Sequence, residues 1–65
     1  MMHWRETESG VWEARGKRDR YVICPPDKTT GGHWRWGVNN TGIESTRGRC
    51  ASMVEAKIEV LREEM

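Results

Sequence analysis

The chain has 65 residues, with four tryptophans and one tyrosine but no phenylalanine, and its formal net charge is +1. This length allows one domain, and the near-neutral charge argues against a tail that coats nucleic acid or membrane. The frequent, regularly placed tryptophans also argue against disorder. Because so small a domain buries only about 60% of the surface that its unfolded chain exposes, a homodimer is one way for it to gain stability.

The first nine residues (1–9) show no clean periodicity, and we expect them to be loose. They do not resemble a secretory signal, and the chain has no apolar run of membrane-spanning length. We therefore expect a cytoplasmic protein that does not associate with membranes. Cys24 and Cys50 are then expected to be reduced thiols, and a disulfide between them stays open as an alternative.

Residues 10–50 predict an antiparallel sheet of three to four strands joined by short turns. Val11–Arg15 and Arg20–Cys24 have the composition of the first two strands. Pro25–Pro26 ends the second strand, because proline cannot donate a hydrogen bond to a sheet ladder.

The segment His33–Val38 is the clearest strand in the sequence. Its apolar residues fall on one face, whereas His33 and Arg35 fall on the other. Asn39–Gly42 predicts a hairpin turn, since Asn and Gly tolerate positive φ angles. Ile43–Cys50 then returns as a last, polar strand, which completes an antiparallel meander.

Residues 52–64 predict a helix that runs from about Met53 to Glu64. Ser52 and Glu55 have the spacing of a capping box, which satisfies backbone N–H groups at the start of a helix. Apolar residues then recur at helical spacing and predict the face that packs on the sheet. The fold class is therefore α+β, with one C-terminal helix packed on one face of the sheet. The predicted core comprises Trp12, Ile23, Trp34, Trp36, Val38, Val54, Ile58 and Leu61.

The sequence shows no constellation of catalytic residues. His3 and His33 are the only histidines, and neither has ligand-like or triad-like spacing to Cys24 or Cys50. The segment around Gly31 lacks the spacing of a phosphate-binding loop. We therefore predict that the protein is not an enzyme and has no metal and no cofactor.

A binding role is predicted for the sheet face that the helix leaves uncovered. Residues 1–50 carry a charge of +3 and residues 51–65 a charge of −2, so the sheet side is basic. Such a face is either a binding surface for nucleic acid or an acidic protein, or an ordinary solvated face. The predicted binding surface, with its adjoining turn, comprises Arg35, His33, Arg47, Arg49, Arg15, Lys17, Arg18 and Arg20.

Trp34-Arg35-Trp36 has a second interpretation, as an aromatic platform that stacks on bases. We favour a core position for both tryptophans, because the apolar stripe of the helix needs an apolar face to pack on. The loops at 16–20 and 27–32 contain glycines and could order on a ligand, although simple connections are the more common use of such loops.

Four short patterns resemble the layout of many short phage and prophage proteins. They are G-x-W at Gly10–Trp12, Y-x-I-x-P at Tyr21–Pro25, W-x-W-x-V at Trp34–Val38 and C-A-S-x-x-E-A-K at Cys50–Lys57. The resemblance implies a non-catalytic accessory protein of a bacterial host's cytoplasm that binds a host or phage protein and can inhibit a host system.

The order of sheet and helix is also similar to that of phage integrase arm-binding domains and plant ethylene-response-type DNA-binding domains. Those domains read DNA with the sheet face turned away from the helix, and Arg35, Arg47 and Arg49 are the matching positions here. The prediction is thus a protein-binding accessory protein, with a nucleic-acid-binding module as the alternative. A weaker alternative is an oligomer that sequesters a small ligand such as a nucleotide.

Overall fold

A computed structural model describes residues 2–8, 10–28, 31–40 and 43–65 of the chain. It contains β1 (Arg5–Glu8), β2 (Val11–Arg15), β3 (Arg20–Cys24), β4 (Trp34–Asn40), β5 (Ile43–Cys50) and α1 (Met53–Glu64). The strands form one sheet in the order β1-β2-β3-β4-β5, and each neighbouring pair is antiparallel. The predicted α+β class and the antiparallel meander with a C-terminal helix are confirmed.

The sheet has five strands, one more than the largest number predicted, because part of the segment expected to be loose forms β1. Arg5 pairs with Glu13 and Glu6 pairs with Trp12, and the chain turns at Gly10, whose φ is +80°. The Gly10 amide donates a hydrogen bond of 2.9 Å to the Glu6 carboxylate. This strand owes its structure to pairing with β2, and its own sequence has no alternation that predicts it.

The predicted hairpin turn at Asn39–Gly42 begins later than expected. Asn39 and Asn40 belong to β4 and pair with Glu44 and Ile43. Residues 41 and 42 lie outside the described part of the chain, as do residues 29 and 30 of the predicted glycine-bearing loop.

The core lies between α1 and one face of the sheet. Ile23, Trp36 and Val38 are buried there as predicted, and Trp12 and Trp34 are partly buried against them. The buried side chains of this core are Tyr21, Ile23, Trp36, Val38, Cys50, Ala56 and Val60, with Met2, Trp4, Trp12, Trp34 and Met53 packed around them.

The prediction for the packed face of α1 is wrong. Val54, Ile58 and Leu61 are 67%, 47% and 50% exposed, whereas Ala56 and Val60 are fully buried. The helix is therefore rotated so that the predicted core stripe points away from the sheet.

Polar contacts on the sheet side of α1 explain this rotation. The Lys57 ammonium lies 5.9 Å from the ring centre of Trp4 and 5.8 Å from that of Trp12, within the range of cation–π attraction. At the last residue of the helix, the Glu64 carboxylate accepts hydrogen bonds from the Tyr21 hydroxyl, at 3.1 Å, and from the Lys17 amide. These contacts hold α1 against the N-terminal strands and the β2–β3 turn.

The start of α1 agrees with the predicted capping box. The Glu55 amide donates to the Ser52 hydroxyl at 3.2 Å, which satisfies one backbone N–H of the first turn. The Glu55 carboxylate accepts from the Ala51 amide at 2.9 Å. The helix therefore has both side chains of the box in use at its first turn.

We expect Tyr21 to titrate late and to make stability depend on alkaline pH. Burial raises the pKa of Tyr21 to about 12, and the hydrogen bond to Glu64 and nearby carboxylates add to the effect. The unfolded phenol has a pKa of about 10. The contribution of Tyr21 to stability is thus fully present below about pH 10 and is lost as the pH rises toward 12.

Since the chain has one tyrosine, its tyrosinate absorbance reports this group directly. A titration midpoint near 10 in the folded protein would contradict the buried Tyr21–Glu64 contact. The Tyr21→Phe variant is the control and should lose the absorbance change and the part of the pH dependence that comes from this group.

Candidate binding surface on the open sheet face

The sheet face turned away from α1, called the open face here, is built by alternation along the strands. In β3, Tyr21 and Ile23 point into the core, so Arg20, Val22 and Cys24 point the other way. In β4, Trp36 points into the core and Arg35 and Gly37 point to the open face. The same rule places Arg49 and Thr46 of β5, and Glu13 and Arg15 of β2, on the open face, since they pair with open-face residues.

Arg35 and Arg49 lie directly opposite each other on β4 and β5. Residues paired in this way have Cβ atoms about 5 Å apart, and like charges there destabilise a sheet. Arg35 is only partly compensated, because its guanidinium is 3.9 Å from the Asp27 carboxylate, which is beyond hydrogen-bond range. Within the described part of the chain, no acceptor bonds to its buried Nε atom. The pair is therefore a site where an anion bound to the outer guanidinium nitrogens would relieve the repulsion.

A second group of arginines lies at the opposite end of the open face. Arg15 and Arg20 are paired directly across β2 and β3, and Arg5 is paired with Glu13. The Glu13 carboxylate is 3.9 Å from Arg20 Nε and is placed among these cations. Together with His3, these residues border a cleft of about 330 Å³. We call Arg5, Arg15 and Arg20 the lower cluster.

The two basic groups are separated by an uncharged row. Val22, Gly37 and Thr46 are paired side by side across β3, β4 and β5. Arg35 pairs with Cys24, which is four residues from Arg20 along β3. At about 3.3 Å per residue, Arg35 is therefore about 13 Å from Arg20 along the strand direction, and the two residues lie on neighbouring strands. The described part of the open face has no tryptophan or tyrosine side chain, because these residues belong to the core side.

The structure brings together four of the eight predicted binding residues, in two pairs: Arg35 with Arg49 and Arg15 with Arg20. The structure contradicts the predicted position of Arg47 on this face. Trp36 pairs with Gly48 and Gly37 with Thr46, which leaves Arg47 as the extra residue of a β-bulge. Its guanidinium lies 3.9 Å from the Glu63 carboxylate of α1, on the core side of the sheet.

Three further predicted residues lie away from the two basic groups. The Lys17 amide donates to the Glu64 carboxylate at the end of α1, so Lys17 lies beside the helix. Arg18 is exposed in the turn between β2 and β3, and His33 is exposed just before β4. Arg5 was not predicted, because residues 1–9 were expected to be loose.

The structure excludes the disulfide within one chain. Cys24 and Cys50 are not bonded to each other and lie on β3 and β5, with β4 between them. Two strand spacings are about 10 Å, more than the roughly 7 Å that a disulfide can span between Cα atoms. The thiols also point to opposite faces, since Cys24 pairs with Arg35 and Cys50 with Trp34.

Cys50 is also poorly placed to act as a nucleophile. Burial raises the pKa of its thiol, and the nearby carboxylates of Glu59 and Glu55 raise it further. The neutral thiol is therefore favoured, and the thiolate that would react is disfavoured.

Among the described residues, no three side chains of the metal-binding types cluster together. No helix in the described ranges has the length and apolar content that crossing a bilayer requires. Comparisons of the chain with protein-family models, with curated proteins and with solved structures found no match. The case for function thus depends on the surface itself.

Proposed function

We propose that the protein is a small non-catalytic accessory protein, of the phage-encoded type that its sequence layout resembles, and that it binds a host or phage protein. The open face is the docking surface, and the Arg35–Arg49 pair is the observation that carries the proposal. Two guanidiniums on directly opposed residues present forked sets of donors that match the geometry of carboxylates. If the partner needs the surface that this protein covers for its own activity, binding inhibits the partner.

An acidic protein surface fits the open face better than a nucleic acid does. Glu13 and Asp27 lie among the arginines, and a mixed pattern of charge suits a protein partner that carries both signs. The net charge of the whole chain is only +1. The described part of the open face offers no tryptophan or tyrosine ring on which a base could stack.

Binding to a nucleic-acid backbone is the second candidate. The separation of about 13 Å along the strands between Arg35 and Arg20 favours it, because two separated basic groups can contact two phosphates. No observation in the described ranges favours sequestration of a small ligand over these two functions.

We expect the Arg35→Gln/Arg49→Gln variant to lose at least about tenfold in affinity for the partner, since each charge-assisted hydrogen bond contributes about 1.5–3 kcal/mol. The measurement is affinity capture from lysate of the organism that carries the chain, followed by titration of the captured protein. The matched control is Arg47→Gln/Arg62→Gln, which removes the same charge from the helix side, where these arginines lie near Glu63 and Glu59. The control should bind like the unmodified protein.

Nuclease treatment of the lysate separates the two candidates. Capture that survives nuclease supports a protein partner. Capture that nuclease abolishes, with binding to a DNA duplex that weakens steeply as salt rises, supports the second candidate instead. If both double variants bind equally well, the open face is not the docking surface.

A further inference from the structure

The outward side of α1 carries an apolar stripe that the core does not use. We call Val54, Ile58, Leu61 and Met65 the outer stripe. They are 67%, 47%, 50% and 100% exposed. Ala56 and Val60, which contact the sheet, lie on the other side of the same helix. The helix is thus apolar on two sides, whereas a surface helix needs only one apolar side to pack on its own domain.

We propose that a second copy of this chain covers the outer stripe, with the two α1 helices packed antiparallel about a two-fold axis. This proposal is independent of the function assigned to the open face. Successive residues of the outer stripe are four, three and four positions apart, so the spacing is the same from either end of the helix. In an antiparallel pair, Ile58 therefore meets Leu61 of the second copy, and Val54 meets Met65. Every apolar residue of the stripe gains an apolar neighbour.

The charges beside the stripe complement those of a second copy. At about 100° per residue, Arg62 and Glu55 flank one side of the stripe, whereas Lys57 and Glu64 on the other side are already in contact with their own chain. The two-fold axis brings each flank against the same flank of the second copy. Arg62 then lies within two residues of axial rise, about 3 Å, of Glu55 in the second copy.

The antiparallel orientation is favoured over the parallel one for two reasons. In the antiparallel pair, Arg62 lies between the levels of two carboxylates of the second copy, Glu55 and Glu59, whereas a parallel pair offers it Glu64 alone. The antiparallel helices also oppose their macrodipoles, and a parallel pair would align them.

The size of the contact sets its strength. The helix has 12 residues and is about 18 Å long, so the interface is smaller than those of standard stable complexes. We therefore expect dissociation in the micromolar range. A domain of 65 residues has a small core, and such a contact buries additional apolar surface.

Sedimentation equilibrium from about 1 μM to about 1 mM tests the proposal. The mass should rise with concentration from 7.6 kDa toward twice that value. Ile58→Glu/Leu61→Glu should stay monomeric, with dimerisation weakened at least tenfold, and should keep its helical circular dichroism because both side chains are already half exposed. The control Arg18→Gln/Lys28→Gln changes the net charge equally and should dimerise normally. A monomeric unmodified protein at about 1 mM would overturn the proposal, as would unchanged dimerisation of the glutamate variant.

A charge exchange tests the orientation. Arg62→Glu and Glu55→Lys should each weaken self-association, because each places like charges on one flank. Mixed together, the two variants should form a heterodimer in the antiparallel arrangement, where both contacts become attractive again. In a parallel pair, the mixture would keep one repulsive contact on each flank. Circular dichroism checks that Glu55→Lys, which removes the bond to the Ala51 amide, remains folded. A mixture no more dimeric than its components overturns the antiparallel pair.

Discussion

Gly37→Ala should destabilise the protein by about 3 kcal/mol or more, because β5 crosses Gly37 too closely for any side chain. A Cβ atom at this position would lie 2.9 Å from the Ser45 carbonyl carbon and 3.0 Å from Thr46 Cα, and closer still to the Ser45 oxygen. These are backbone atoms of the paired strand and cannot rotate away. A domain of this size has a total stability of roughly 3–10 kcal/mol, so we expect much of the variant to be unfolded.

Gly32→Ala is the matched control for that prediction. Gly32 has a φ of +85° and no neighbouring atom within 4 Å of an added Cβ. Alanine there should cost only the backbone strain of the left-handed region, about 1 kcal/mol. Urea unfolding followed by tryptophan fluorescence measures both variants. Equal midpoints for the two would show that β4 and β5 are not so closely apposed at Gly37.

Val60→Asn should cost about 3 kcal/mol, whereas Val54→Asn should cost less than about 1 kcal/mol. Val60 is fully buried, so asparagine there loses apolar burial and places an amide without partners in the core. Val54 is 67% exposed on the same helix, and the change in helix propensity is identical. The two unfolding free energies therefore report which side of α1 contacts the sheet. If Val54→Asn destabilised the protein more than Val60→Asn, the helix would have the orientation predicted from the sequence.

The helix itself could be read from local sequence, but its rotation could not. The capping box at Ser52 and Glu55 acts within four residues, so the start of α1 was predictable. The rotation depends on Lys57 and Glu64, whose partners Trp12 and Tyr21 are more than 40 residues away. Because both sides of the helix are apolar, periodicity alone does not choose between them.

The open face was predicted where alternation holds and missed where it fails. Arg35 and Arg49 follow from strict alternation within β4 and the end of β5. Arg47 lies at the bulge, where one extra residue reverses the direction of the side chain. Arg5 was missed because β1 forms by pairing, although the turn at Gly10 directly before a predicted strand was a signal that the preceding residues could form a hairpin.

The β-bulge at Arg47 protects the edge of the sheet from aggregation by strand addition. β5 is an edge strand of eight residues, and an edge strand of this length presents backbone groups on which a strand from another molecule could add. The extra residue interrupts the regular spacing of those groups in the middle of the strand. Arg47 and Arg49, both exposed, place two positive charges along the same edge. An incoming copy of β5 would meet a kinked ladder and like charges, so strand addition at this edge is disfavoured.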